Sequence, residues 1–263
     1  MADNILEKII NNKNKKIEIL KKSITIKDLE ERIEEQKNFF DFKLKINQNI
    51  QNNKISLIAE IKKASPSAGI IIDNYNPVEI ASVYKSHKAT CLSVLTEEDY
   101  FLGSLIHISK IKQKINLPIL CKDFFVDKYQ VPLAKSYGAD AILIILAGVS
   151  IEKSIEIYNE ALKYNMTVII EVHTKDEATK AKNFKKAIIG INNRNLKTLV
   201  TDINTTYDIY DILKDHESPI VAESGIKNKE QVLEIKNKTK INTFLIGESL
   251  LKNLKKNSIF SLL

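Results

Sequence analysis

Eight short apolar runs rich in β-branched residues recur along the chain, separated by polar or amphipathic segments. The runs cover residues 56–61, 91–95, 118–121, 141–146, 167–172, 187–192, 219–222 and 243–246. The segments between them have helical character and cover residues 77–87, 105–115, 129–137, 151–164, 175–183, 205–214 and 229–236. Continuous apolar runs that alternate with helices predict parallel strands whose two faces are both covered.

The number of strand–helix units predicts the fold class. Eight units in about 215 residues match an α/β protein of the (β/α)8 TIM barrel type, here expected over residues 55–263. A doubly wound open sheet is the alternative. It requires a glycine-rich turn after the first strand, and the chain contains no GxGxxG motif. The pattern therefore favours one barrel domain.

Two amphipathic patterns precede the barrel. Residues 4–22 and residues 27–42 carry apolar side chains at helical spacing, diluted by charged ones. We expect residues 1–48 to form an N-terminal helical extension packed on the barrel, with an oligomerisation arm as the alternative. The polar segment 47–54 is predicted to be a linker.

The net charge of the chain and the spacing of its lysines limit the classes of binding partner. The chain of 263 residues is 44% hydrophobic and has a formal net charge of +7. A nucleic-acid patch is one interpretation of this charge. The lysines are spread along the chain rather than clustered, which favours a small anionic substrate and no nucleic acid.

The cysteines and the N-terminus indicate a cytoplasmic protein. Cys91 and Cys121 lie in apolar runs without CxxC spacing or a partner histidine nearby, which predicts reduced core thiols. The N-terminus has acids at positions 3 and 7 and no apolar h-region, so no signal peptide is expected. No stretch approaches about 18 apolar residues, so no membrane span is expected. A monomer or weak homodimer is predicted.

Charged and polar residues interrupt the runs at their C-terminal ends. In chain order they are Glu60 and Lys62, Lys122, Glu171, Asn192 and Arg194, Glu223 and Ser224, and Gly247 and Glu248. In a barrel these ends meet on the face where active sites form. A lysine at the end of a buried strand is either an ion-pair partner or a group tuned for proton transfer. The consistent placement favours the second interpretation for Lys122.

The first strand end carries a second candidate pair. In LIAEIKKASPSAG, residues 57–69, Glu60 and Lys62 are two positions apart and share one face of a strand. They form either an acid/base pair or a plain salt bridge. Pro66 and Gly69 indicate a turn that could close over a ligand.

The motif EIKKASPS at residues 60–67 resembles the signature of the indole-3-glycerol phosphate synthase family. The resemblance continues through SVLTEEDYFLGS, PILCKDFFVDKYQV, GADAILII, EVHT, IGINNRNLKT, AESGI and FLIGESLL. This ordered set covers nearly the whole chain and is highly specific. Asn195 stands where aspartate is common in the family, and Ala64 and Ala68 occupy variable positions.

The resemblance implies a carbon–carbon lyase of tryptophan biosynthesis that needs no cofactor and no metal. Its reaction closes the indole ring of 1-(2-carboxyphenylamino)-1-deoxyribulose 5-phosphate, with loss of carbon dioxide and water. Lys122 matches the general acid that protonates the ketone oxygen, and Glu171 matches the carboxylate that positions it. The implied catalytic residues are Glu60, Lys62, Lys122, Glu171, Asn192 and Glu223. The implied substrate- and phosphate-binding residues are Ser65, Phe124, Arg194, Leu196, Ser224, Gly225, Gly247 and Glu248.

Two other functions stay open at this point. A phosphoribosylanthranilate isomerase would need a cysteine/aspartate pair at the strand ends, whereas both cysteines lie earlier in their runs. A barrel that only binds a partner or a polyanion is the other alternative, and the intact set of charged strand ends argues against it.

Several polar residues are expected to have no role in chemistry. The four histidines, His87, His107, His173 and His216, are predicted to be solvated or structural, because their spacing suggests no metal site. Asp123 is predicted to be a structural partner of nearby donors. The adjacent acids at positions 97–99 are predicted to be solvated in a loop.

Overall fold

The computed structural model describes residues 5–196 and 198–263. Its strands are β1 (Ser56–Ile61), β2 (Ala64–Ser65), β3 (Gly69–Ile70), β4 (Cys91–Leu95), β5 (Ile119–Lys122), β6 (Ala141–Ile145), β7 (Thr167–Val172), β8 (Ile188–Asn192), β9 (Ile220–Glu223) and β10 (Thr243–Ile246). Its α-helices are α1 (Ile5–Ser23), α2 (Ile26–Glu34), α3 (Phe42–Gln51), α4 (Pro77–Ser86), α5 (Leu105–Lys112), α6 (Gln130–Ser136), α7 (Ile151–Lys163), α8 (Lys175–Ala181), α9 (Asn204–Leu213), α10 (Lys229–Thr239) and α11 (Glu248–Lys252). A 3-10 helix, Ser258–Leu262, ends the described chain.

All strands except β2 and β3 close into a parallel barrel in the order β1-β10-β9-β8-β7-β6-β5-β4. Each barrel strand is followed by a helix, which confirms the predicted (β/α)8 fold. The bounds of β1, β4, β7 and β10 coincide with the predicted apolar runs, because these strands are buried almost throughout. Cys91 and Cys121 are free and buried in the core, as predicted.

The N-terminal end of the barrel is closed by α3, which corrects one prediction. The segment 47–54, predicted as a linker, contains the second half of this helix. Phe42 and Ile46 lie one turn apart, are fully buried and join the cluster inside the barrel. The amide of Asn49 donates to Thr90 Oγ1, just before β4, at 3.0 Å. The segment was predicted as a linker because most of its residues are polar. The apolar face of α3 consists of few residues, and these are buried only because the barrel covers them.

The second predicted helix, residues 27–42, is also wrong in its extent. It ends at Glu34, and a capping box between Thr25 and Asp28 fixes its start. Phe39 and Phe40 lie on the connection to α3 instead, where Lys135 and Lys112 sit over their rings. These phenylalanines are therefore held by contacts with the barrel helices α5 and α6, and they do not form the apolar face of a helix.

The connections at the barrel mouth contain elements that the hydrophobic pattern did not indicate. β2 and β3 form an antiparallel hairpin around the SPSAG turn, where Gly69 has a φ of 62°. The short helix α11 follows β10 directly. These elements are too short to show a period.

Some expectations lie beyond what the structure addresses. Residues 1–4, which include the start of the segment expected not to be a signal peptide, and Lys197 of the INNRNLKT motif lie outside the described residues. Within 5–196 and 198–263, every helix is too short or too polar to cross a membrane. The division into an extension over 1–48 and a barrel over 55–263, and the oligomeric state, stay predictions.

Candidate active site

The C-terminal ends of the barrel strands surround a cavity of about 540 Å³. Every residue that the sequence assigned to catalysis or binding lines it: Glu60, Lys62, Ser65, Lys122, Phe124, Glu171, Asn192, Arg194, Leu196, Glu223, Ser224, Gly225, Gly247 and Glu248. The expected convergence of the strand ends on one face is therefore present. The role of each residue stays a prediction.

Lys122, the last residue of β5, lies between two carboxylates. Its Nζ is 3.0 Å from Glu171 Oε2 and 3.3 Å from Glu223 Oε2, and its side chain is 15% exposed. Burial on its own lowers the pKa of Lys122, but Glu171 and Glu223 outweigh burial and hold this pKa above its ordinary value. Lys122 is therefore an ammonium that faces the cavity.

Glu171, near the end of β7, is buried and contacts a cation at each oxygen. Oε2 accepts from Lys122, and Oε1 lies 3.2 Å from Nε2 of His173. Burial raises the pKa of Glu171, but Lys122 and His173 outweigh burial and hold it well below the usual range. His173 was expected to be solvated or structural, and its side chain is buried against this carboxylate. The sequence signal that could have indicated it is its position two residues after Glu171.

Glu223, the last residue of β9, is equally buried but has a different environment. Burial and the neighbouring Glu171 raise its pKa to about 8, against the opposing effect of Lys122. Its carboxyl group rests over Gly190 of β8, where a Cβ atom would overlap Oε1. Gly190 therefore provides the space for this group, and Glu223 is suited to hold a proton near neutral pH.

The pair predicted at the first strand end is present. Nζ of Lys62 is 2.6 Å from Glu60 Oε1, and both side chains are largely buried. Gly247 lies against the other side of Glu60, and a Cβ atom there would overlap the carboxylate. Glu60 is thus fixed between a cation and a glycine at the same mouth as Lys122.

One side of the cavity is suited to an anion. Ser224 and Gly225 have φ values of 66° and 78°, so both adopt the left-handed conformation directly after β9. A Cβ atom on Gly225 would overlap the side chain of Thr201. Arg194 contacts Ser67 Oγ of the β2–β3 hairpin and lies 3.7 Å from Glu248 Oε2. Backbone N–H groups and a guanidinium are the donors that phosphate sites use.

An apolar wall forms another part of the cavity lining. Leu6 and Ile9 of α1 pack in one cluster with Phe124, Phe101 and Leu196. The Phe101 and Phe124 rings are 6.2 Å apart. This wall is suited to a flat apolar ring, and the contribution of α1 was not predicted.

Buried ion pairs and caps fix the loops beside the cavity. Asp123 accepts from Lys13 Nζ at 2.8 Å and from Thr96 Oγ1 at 2.6 Å, which confirms its structural assignment. Glu97, however, is buried and accepts from the backbone N–H groups of residues 99, 100 and 101. The prediction that all three adjacent acids are solvated is therefore wrong for Glu97, which shapes the loop from inside.

Sequence comparison identifies similar proteins over almost the whole chain. A family model described as indole-3-glycerol phosphate synthase matches residues 6–262. The chain is 38% identical over 252 residues to an indole-3-glycerol phosphate synthase of Dechloromonas aromatica, covering 96% of this chain and 95% of that protein. It is 37% identical over 262 residues to an indole-3-glycerol phosphate synthase of Acinetobacter baylyi, covering 99% and 96%.

Structure comparison finds the same fold at low sequence identity. The tryptophan synthase α subunit of Legionella pneumophila aligns with a TM-score of 0.61, covering 84% of this chain and 95% of that one. At 12% identity this similarity concerns the barrel fold alone.

Proposed function

The chain belongs to the indole-3-glycerol phosphate synthase family, and from this premise we propose how its side chains carry out the reaction. The reaction converts 1-(2-carboxyphenylamino)-1-deoxyribulose 5-phosphate into indole-3-glycerol phosphate with loss of carbon dioxide and water, a step of tryptophan biosynthesis. One observation carries the assignment of roles. The Lys122 ammonium lies between two buried carboxylates at a mouth that also offers an apolar wall and anion donors.

Lys122 supplies the proton for ring closure. A ring carbon of the substrate attacks the ketone carbon, and the ketone oxygen becomes a hydroxyl as it takes a proton from Lys122. The ammonium also stabilises the negative charge that develops on that oxygen. Glu171 holds Lys122 at 3.0 Å in the required position. Carbon dioxide then leaves the same ring carbon, and its bonding electrons restore the aromatic ring.

The remaining carboxylates and hydrogen-bond donors take part in the loss of water and in orienting the substrate. Loss of water needs an acid for the leaving hydroxyl and a base for the neighbouring carbon-bound proton. Glu60, Lys62 and Glu223 are the groups placed for these transfers. Asn192 and Arg194 orient the carboxylate and hydroxyl groups of the substrate.

The two ends of the substrate bind in different surroundings. The aromatic ring contacts the apolar wall through Phe124 and Leu196. The phosphate binds to the Ser224-Gly225 and Gly247-Glu248 backbones, with Ser65 and Lys62 nearby. This arrangement orients the ketone carbon towards Lys122.

A turnover assay with the synthetic substrate tests the activity. The purified chain should produce an indole fluorescence signal together with one carbon dioxide per indole. A chain that isomerises phosphoribosylanthranilate instead would contradict the proposal. Among the described residues, the lining of the cavity includes neither cysteine, which speaks against that isomerase.

A filter-binding assay tests the predicted absence of nucleic-acid binding, and sedimentation tests the predicted monomer or weak dimer. The cytoplasmic location also stays a prediction.

Replacing Gly225 by alanine is expected to weaken phosphate binding. The new Cβ would overlap Thr201 and strain a backbone with φ of 78°, so the donors of this turn would move. We expect KM to rise about tenfold, with a smaller change in kcat, since the interaction lost is a binding one. Gly138→Ala is the matched control, because Gly138 has a φ of 98° far from the mouth. An equal rise in KM for both variants would contradict the phosphate role.

Replacing Lys13 by methionine is expected to weaken ring binding through α1. Lys13 and Asp123 form a buried pair at 2.8 Å that ties α1 to the loop after β5. Without it, the wall formed by Leu6 and Ile9 loses its support, and KM should rise about tenfold. Lys16→Met is the control, since Lys16 pairs with the exposed Glu98 and Asp99 and should matter little. An unchanged KM in the Lys13→Met variant would contradict a role for this ion pair in binding the ring.

A further inference from the structure

His173 lies just outside the cavity, in the two-residue connection between β7 and α8. Its side chain is 8% exposed. Nε2 lies 3.2 Å from Glu171 Oε1, and Nδ1 lies 3.3 Å from Glu177 Oε2 in the first turn of α8. The same Glu177 oxygen accepts from the backbone N–H of His173 at 2.7 Å. The imidazole is therefore held between two carboxylates, of which one belongs to the active site.

The two carboxyl groups that flank Lys122 differ because of this imidazole. Glu171 has a positive group at each oxygen, Lys122 at Oε2 and His173 at Oε1. Glu223 has Lys122 at Oε2, while its buried Oε1 rests over Gly190 with no cation beside it among the described residues. Neither Glu223 Oε1 nor His173 Nε2 has a hydrogen-bond partner in the described chain, so the imidazole acts on Glu171 through its charge at 3.2 Å. Two buried carboxylates this close to one ammonium favour keeping a single proton between them. The second cation decides which of the two remains ionised.

We propose that His173 is a positioning residue whose imidazolium holds Glu171 as the carboxylate and leaves the shared proton on Glu223. The proposal rests on the proposed function, because it assigns a protonation state to the site that performs that reaction.

The charged surroundings of His173 support a cationic imidazole. Glu171 on its own strand and Glu177 on α8 face it directly. Lys122 from β5 and Glu223 from β9 face Glu171 on its far side. Burial lowers the pKa of His173, but the two glutamates outweigh burial and raise this pKa to about 9. The imidazole thus carries its charge through the neutral range.

The proton balance of the reaction shows where such a stored proton would be used. With the substrate carboxylate ionised, ring closure takes one proton onto the ketone oxygen, and the departure of water takes a second. Loss of the carbon-bound proton returns one, and loss of carbon dioxide returns none. Each turnover therefore consumes one proton. A neutral Glu223, with Oε2 at 3.3 Å from Lys122, can return a proton to the lysine after it has donated its own.

Replacing His173 by glutamine should change the pH profile of kcat. Glu171 then loses one of its two cations, so the proton that the two glutamates share moves partly onto Glu171, and Glu171 is fully ionised only above the pKa at which the pair loses that proton. We expect kcat to be about tenfold lower near pH 6.5 and to recover towards that of the wild-type protein above about pH 8, where the pair loses the shared proton. KM should change less than about threefold, because His173 does not line the cavity. A uniform loss of kcat at every pH, or an equal change in KM, would overturn the proposal.

Nitrogen-15 NMR of the histidine rings tests the charge without any turnover. The His173 signal, assigned by its absence in the glutamine variant, should be that of an imidazolium at about pH 7.5. Glu177→Gln removes one of its two carboxylates and should lower the pH at which this signal titrates. A neutral His173 ring at that pH in the wild-type protein would refute the proposal even if the glutamine variant does not fold.

A distant histidine provides the matched control. His216 Nε2 lies 2.9 Å from the carbonyl oxygen of Ala187, before β8 begins and away from the mouth. His216→Gln should leave the pH profile unchanged, and the same shift in this variant would count against a specific role for His173. Failure of the proposed function would appear separately, as a wild-type protein that turns over no substrate while its His173 signal is unaffected.

Discussion

Lys122→Ala is expected to lower kcat by about 10²–10⁴-fold, the range typical of a lost general acid. The variant lacks the group that protonates the ketone oxygen, and no other ammonium is held by Glu171 in the described chain. Binding of the ring and the phosphate involves other parts of the cavity, so KM should change much less. Steady-state indole fluorescence measures both constants, and circular dichroism checks that the barrel is intact.

Lys122→Arg separates proton donation from charge. Arginine keeps a cation beside Glu171 and Glu223, but its guanidinium does not release a proton in the neutral range. We therefore expect the arginine variant to fold well and to remain nearly as inactive as the alanine variant. Full activity in either variant would remove Lys122 from its proposed role. Activity in the arginine variant alone would assign Lys122 a purely electrostatic one.

Asp140→Ala is expected to lower the free energy of unfolding by about 3–5 kcal/mol, as for other broken buried ion pairs. Asp140 precedes β6, at the end of the barrel opposite the cavity, and its side chain is fully buried. It accepts from Lys112 Nζ at 2.6 Å and from the backbone N–H groups of Phe40 and Ile119 at 2.7 and 2.8 Å. Its removal leaves two N–H donors without their acceptor and leaves the buried Lys112 ammonium with the carbonyl oxygen of Asn38 in place of a carboxylate. Urea unfolding measures the loss.

The control for this stability prediction is an exposed pair. Asp176 and Lys180 lie 2.7 Å apart on α8 with both side chains more than half exposed, so Asp176→Ala should cost less than about 1 kcal/mol. Equal losses of unfolding free energy in the two variants would show that the buried contacts of Asp140 stabilise the fold no more than an exposed ion pair does. In the absence of urea, the Asp140 variant should retain most of its kcat, because the mouth is at the far end of the barrel.

The barrel and most of its candidate site could be predicted from the sequence because their signals are local. A strand buried on both faces is a continuous apolar run, which is why the ends of β1 and β7 matched the prediction. A charged residue at the end of such a run, such as Lys122, is unusual enough to indicate chemistry. The positions of Glu60, Glu171 and Glu223 at or near the ends of their apolar runs predict that they lie on the same face of the barrel.

Other features depend on contacts between distant parts of the chain. The segment that became α3 looked like a linker, since only the open end of the barrel makes Phe42 and Ile46 core residues. Glu97 was predicted to be solvated, because the backbone N–H groups that donate to its carboxylate come together only when its loop folds.

Hydrophobic patterning along the chain was enough to predict the barrel strands, the helices between them and the charged residues at the strand ends. How the ionisable groups divide their protons depends on contacts that the folded barrel creates, with His173 beside Glu171 and Gly190 beneath Glu223. Hydrophobic periodicity reports only whether a side chain faces water. The charge state of a buried group depends instead on which partners lie within a few ångströms, and those partners come from strands far apart in the chain.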